Sequence, residues 1–339
     1  MPIIRKTMLL VILFFLFFSP APAASQASQA RPPARSAFSL SPLVGMLHGQ
    51  AEELVFQYPG SSRYLSELLW DLKPLLYFGF AADFAPRDPF RSHGFIAETS
   101  LRFGLPRRSG VHENRDWTNP QHGQLTHFSR HDVYSLSAVL LDISAGHSWR
   151  LTDFLALRAR AEFSFMHFVW SGWDGFVQYS VDAAGNFITV NVPPWHDGIP
   201  KFPLYGEVIR YRQSWFIIAP GLSLKWRIAP RFFLEGNFSY TPLIFCAARD
   251  DHLLRGRIFW DFMAFGHFIN GGGRLVFSPV NNMDISLAAS YRRITGTRGR
   301  TYDQHAATGR TDIFKDMAGA GFSALDISLA ARIRLTGRN

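Results

Sequence analysis

Asp250 and His252 lie two residues apart in the stretch Ala247-Ala248-Arg249-Asp250-Asp251-His252. In an extended backbone, positions i and i+2 share a face, so this carboxylate can hydrogen-bond to the imidazole and orient it. An imidazole titrates near ~6.5, which suits it to take a proton from water at neutral pH. The same spacing on a polar loop also describes a solvated turn. The pair gains chemical meaning only if a second acidic group faces it. Asp116, in His112-Glu113-Asn114-Arg115-Asp116-Trp117, is available for that role if the fold brings the two stretches together.

The elements that must do the positioning belong to an exported chain. Arg5 and Lys6 precede an apolar run from Met8 to Phe18 and a small-residue site, Ala21-Pro22-Ala23, the pattern of a cleaved secretory signal over residues 1–23. The run falls short of the ~20 apolar residues of a membrane helix. Residues 24–37 lack an apolar period and read as a flexible leader, leaving residues 38–339 as one folded domain. No cysteine stands near the cleavage site to carry a lipid anchor. The single cysteine, Cys246, has no partner for an internal disulfide.

Composition then separates the remaining classes. The chain is 15% aromatic and has no later run long enough for a membrane helix, which a water-soluble globule does not explain. Its formal charge of +9 is spread singly along the chain, not clustered. That distribution points away from nucleic acid and toward a polar lumen or anionic headgroups.

Alternation at period two recurs throughout. Leu325, Ile327, Leu329, Ala331, Ile333 and Leu335 take one face, with Asp326, Ser328, Ala330, Arg332 and Arg334 on the other. Leu157–Phe165 and Phe232–Tyr240 repeat the pattern. A soluble sandwich shares this periodicity, but the aromatic content and the export signal favour a barrel with lipid outside and a polar interior. Breaks alternate between short ones, at 85–89, 147–152, 229–230 and 278–283, and longer ones, at 106–130, 173–205, 247–256 and 295–319, plus a tight Pro59-Gly60-Ser61-Ser62. The expected architecture is all-β: a ten-stranded antiparallel transmembrane β-barrel with strands near 39–58, 63–84, 90–105, 131–146, 152–172, 205–228, 231–246, 257–277, 284–296 and 320–336. Several exceed the ~9–11 residues that cross the hydrocarbon, so the barrel should project on its long-loop side.

At this point the chain resembles the omptins, outer-membrane endopeptidases with an Asp-x-Asp-Trp motif on one wall and an Asp-x-His motif on the other. Asp250-Asp251-His252 matches the second motif in full. Asn114-Arg115-Asp116-Trp117 matches the first except at its leading acid. Gly49–Phe56, Leu65–Trp70, Gly206-Glu207 with Tyr211-Arg212-Gln213, and Arg257-Ile258 with Asn270–Gly273 resemble further omptin segments in order. The resemblance implies a bacterial outer-membrane location and a peptide or protein substrate at the cell surface, with no cofactor or metal. It also implies that His252, oriented by Asp250, activates a water held by Asp116 with Asn114, and that Glu53 binds a basic side chain.

Three departures accompany it. Asn114 replaces the first acid, and Glu113 points to the other face of a regular strand. Ala248 stands where the family has a second acid in its specificity pocket. The family's lipopolysaccharide-binding Tyr-x-Glu-x-Arg pattern reads Phe163-Ser164-Phe165-Met166-His167, so that dependence is not expected, although contact with outer-membrane lipid is. The rival readings are a barrel that has lost turnover and serves as a surface-binding or adhesion protein, and a small-solute pore, which ten strands with a filled lumen disfavour. His122, His127 and His131 lack a metal-site framework and read as loop histidines, and Gly271-Gly272-Gly273 as a close-packed strand. The C-terminal Thr336-Gly337-Arg338-Asn339 lacks a terminal aromatic.

Overall fold

The computed structural model describes residues 36–86 and 88–335. The signal, most of the leader and the last four residues lie outside that range. Strand begins at Ser36, inside the stretch expected to be leader.

The described residues form fifteen strands, of which all but the two-residue seventh, paired only to the sixth, build the wall. The first seven are β1 (Ser36–Phe56), β2 (Tyr64–Pro86), β3 (Gly94–Gly104), β4 (Arg107–Asp116), β5 (His127–Arg150), β6 (Leu155–Gln178) and the short β7 (Phe202–Pro203). The remaining eight are β8 (Glu207–Ala229), β9 (Phe232–Thr241), β10 (Ile244–His252), β11 (Arg257–Ala264), β12 (His267–Val280), β13 (Met283–Thr295), β14 (Arg298–His305) and β15 (Thr311–Leu335). A 3₁₀ turn at Leu253–Arg255 joins β10 to β11.

Four pairs of strands, β3/β4, β9/β10, β11/β12 and β13/β14, are successive halves of one stave. β2 pairs with both β3 and β4, and β8 with both β9 and β10. The result is a ring of ten antiparallel staves, closed where β15 returns to pair with β1 from Phe38↔Leu335 to Val55↔Ala318. Closure leaves no free edge, the condition for a sheet in lipid.

The staves break where the backbone cannot continue the ladder. Pro106 and Pro242 lack an N–H, and Phe265 and Gly296 adopt positive φ values of 60° and 74°. These breaks correct the expected strand limits. The stretch 106–130 is not one loop, because β4 resumes directly after Pro106. The stretch 295–319 likewise contains β14 and the start of β15, and Ala247–His252 belongs to β10. Both chemically interesting stretches therefore ride on hydrogen-bonded strands. The triple glycine does lie in strand β12, where a side chain at Gly272 would meet the Ala289 carbonyl at 2.6 Å.

Outward residues such as Phe38, Leu40, Phe78, Phe80, Ile218 and Leu222 are exposed and form an apolar band. Toward the long-loop end the outer face becomes charged. Arg115 bridges Glu67 and Glu113, and Asp251 is held between Arg212 and Arg249. Arg249 in turn lies 4.6 Å over the Trp260 ring. This charged collar marks the part of the barrel beyond the hydrocarbon.

The interior differs from the uniformly polar lumen expected. Its lower part is ionic, with Arg102 bridging Asp142 and Asp326. Above it lies a floor of fully buried rings, Trp70, Phe168, Trp170, Tyr211, Trp215 and Phe322. Trp70 stacks on Tyr211 at 5.2 Å, Phe168 on Trp170 at 5.3 Å and Phe168 on Phe322 at 5.3 Å. Such offset ring pairs add ~0.5–1.5 kcal/mol beyond area burial. They give the site above them a rigid base.

Candidate active site

One wall of the cleft is built by β2, β4 and β5. Inward positions are set by register: Ser66↔Asp116↔His127, Leu68↔Asn114↔Ser129 and Trp70↔His112↔His131. Asp116 accepts a hydrogen bond from Ser66 Oγ at 2.5 Å, and Asn114 Nδ2 donates to its other oxygen at 3.4 Å. Asn114 Oδ1 is buried and accepts no hydrogen bond. Burial raises the Asp116 carboxyl above the usual range, partly offset by Ser66 and by the positive potential of His127, Arg255 and His252. Glu113 points outward to Arg115, as strand alternation requires, and cannot stand in for an acid at 114.

Below Asp116, His112 stacks on Trp70 at 4.1 Å and its Nδ1 approaches the Leu69 carbonyl at 3.1 Å. His131 Nδ1 lies 2.6 Å from the Asp174 carbonyl. Burial pushes both imidazoles toward the neutral form, and the nearby His252 charge pushes the same way. His122 instead meets the Val192 carbonyl, and His127 packs edge-on against Tyr179 at 4.4 Å. Among the described residues no set of three His, Cys, Asp or Glu side chains converges as a metal site.

The facing wall is β8, β10 and β11. Asp250 is completely buried, and its Oδ2 lies 2.5 Å from His252 Nε2. The contact is an ion-pair approach, off the line of a hydrogen bond, and neither Asp250 oxygen accepts one from any described residue. His252 also packs edge-on against Phe259, with ring centroids 5.2 Å apart. It is an electrostatic neighbour of Asp116, His112 and His131, all on the other wall.

Glu53 on β1 is 4% exposed and lies among the same acids. Burial lifts its carboxyl well above the usual range, reinforced by the charges of Asp250 and Asp261. Asp261 was not singled out from the sequence. It stands on β11 directly opposite Ala248 on β10 and opposite Thr301 on β14. Burial raises its carboxyl to about 7, with Thr301 holding it down and Asp250 adding to the rise. Oxygens of Glu53, Asp250 and Asp261 are all buried without a hydrogen-bond donor. The only signal in the sequence was alternation in Trp260-Asp261-Phe262, an acid between two outward aromatics.

The omptin family model matches residues 34–335. The chain belongs to the omptin family. Its fold is that of the crystal structure of the outer membrane protease OmpT from Escherichia coli, with a TM-score of 0.76, 18% identity, and coverage of 92% of this chain and 100% of that one. The outer membrane protein OprG from Pseudomonas aeruginosa aligns far more loosely, with a TM-score of 0.35, 7% identity, and coverage of 89% and 97%. No curated protein matches the chain. Family and fold place this omptin in the bacterial outer membrane and support a protease of the omptin type.

Proposed function

We propose that this omptin cleaves peptide bonds with a water held between His252 and Asp116. Oriented by Asp250, His252 would take a proton from that water, and the hydroxide would attack the scissile carbonyl. The tetrahedral intermediate would then expel the amine, which recovers the proton from the imidazolium. Asn114 would hold the water and steady Asp116 without accepting a proton. What supports this reading is register: β4 turns Asp116 inward beside Ser66 and His127, and β10 turns His252 inward two residues beyond buried Asp250, near enough for its charge to act on Asp116.

The same reading gives Glu53 a basic side chain before the scissile bond. Asp261 supports this, because it restores on β11 the acid that Ala248 lacks on β10. A Lys or Arg side chain would satisfy buried oxygens that otherwise meet no donor.

The test is cleavage of a peptide library by the refolded barrel in detergent, compared with His252→Ala. Loss of about 10²–10⁴ in rate is expected from removal of a general base. Equal cleavage by both proteins would refute the mechanism. The second reading, a surface-binding barrel with little turnover, is favoured by one observation: the Asn114 amide donates to Asp116 where the family carries a second acid.

A further inference from the structure

The opposite, short-turn end of the barrel holds a cavity of about 250 Å³ that the peptidase reading does not use. It is lined by six basic side chains, Arg158, Lys225, Arg227, Arg231, Arg332 and Arg334, against two acids, Asp83 and Asp88. Four of the arginines are matched. Arg158 meets Glu98 and Glu235, Arg227 meets Asp88, Arg332 meets Asp83, and Arg334 meets Asp284.

Lys225 is different. It is 8% exposed and makes neither an ion pair nor a hydrogen bond among the described residues. Its Nζ lies 5.3 Å from the centroid of the Phe233 ring, and Glu235, directly across the ladder, is already engaged by Arg158 and by Ser223 at 3.2 Å. Among the described residues Arg231 also lacks an ion pair or side-chain hydrogen bond. A nearly buried lysine without an anionic partner carries a desolvation cost that an anion in the cavity would offset.

We propose that this cavity is a binding site for a phosphate group entering from the periplasmic side. Two basic side chains without an ion pair line it, Lys225 on β8 and Arg231 in the β8–β9 turn, and a tetrahedral oxyanion with several acceptor oxygens can meet both at once. The aromatic pair Phe90 and Phe233, stacked at 5.6 Å with Arg227 4.3 Å above Phe90, lines one side of the cavity. Two sources share the chemistry: free inorganic phosphate and the headgroup of an inner-leaflet phospholipid.

The experiment is calorimetric titration of the refolded barrel, in a phosphate-free nonionic detergent, with inorganic phosphate and separately with a short-chain phosphatidylglycerol. Saturable binding that weakens tenfold or more in Lys225→Met, and is retained in Lys225→Arg, supports the site. Binding of inorganic phosphate assigns free anion as the source, and binding of the lipid alone assigns the headgroup. If Lys225→Met fails to refold, the wild-type unfolding midpoint decides, rising in phosphate over chloride at matched ionic strength. No binding of either probe, equal binding by Lys225→Met, or a midpoint raised neither by phosphate nor by the short-chain lipid overturns the proposal. Peptide cleavage at the other end is unaffected in either variant, so the outcome is independent of the peptidase reading.

Discussion

Ala248 and Asp261 face each other across the β10–β11 ladder, and between them they carry one carboxylate. An acid on either strand points into the same space beside Glu53 and Asp250, because both positions are inward and in register.

That relationship makes the acid transferable. Asp261→Asn is expected to lower kcat/KM for peptides with Arg before the scissile bond by roughly 10–100-fold, the worth of a hydrogen bond to a charged group. Adding Ala248→Asp to that variant should recover most of the loss. Peptides carrying citrulline in place of Arg should show neither effect. Equal kinetics for Arg and citrulline peptides in the wild type would remove the pocket from the account.

Asn114 sets a second expectation. Replacing it with Asp supplies a second carboxylate beside Asp116, at the cost of like charge in a buried place. Asn114→Asp is expected to raise kcat about tenfold, or ~1.4 kcal/mol of barrier. A variant that cleaves while the wild type does not would identify a disabled relative, and a slower variant would show that the amide is the working group here.

The raised acids predict how stability follows pH. Glu53, Asp116 and Asp261 hold protons more tightly folded than unfolded, so their contribution is full below the ordinary carboxylate range and is lost as pH rises through their folded values. For Asp261 the window runs from 3.8 to about 7. Each unit is worth about 1.4 kcal/mol. Asp261→Asn should therefore raise the unfolding midpoint most at pH 8, less at pH 5 and hardly at all at pH 3, as followed by circular dichroism or heat-modifiable gel migration. Cleavage should also fail on the acid side at a higher pH than an ordinary aspartate would dictate, because Asp116 takes up its proton early.

The ring floor predicts a large packing effect. Trp170 is fully buried and touches Trp70, Phe168 and Tyr211. Trp170→Ala should cost about 3–5 kcal/mol in denaturant unfolding. A loss below 1 kcal/mol would mean that the floor is loosely packed.

Much of this was legible in the sequence because the barrel writes its pattern at period two. Leu325–Leu335 announced its stave, and Asp250 and His252 announced a shared face. Proline misled where it interrupts a stave without ending it. Pro106 reads locally as the end of a strand, yet β4 resumes after it and holds Asn114 and Asp116 on a ladder. The ring floor was invisible because Trp70, Trp170 and Phe322 come from distant segments, and alternation does not say which apolar residues turn inward. Asp261 was missed for the same reason: cross-strand register, which no local pattern encodes, makes it the counterpart of Ala248.

The layer of stacked indoles and phenyl rings also bears on the cell that carries this barrel. It lies between the acid-lined cleft and the ionic lower interior. Filled by side chains at that level, the tube is expected to give solutes little passage inward. The envelope can therefore hold many copies without becoming leaky, a separation that planar-bilayer recordings would register as silence.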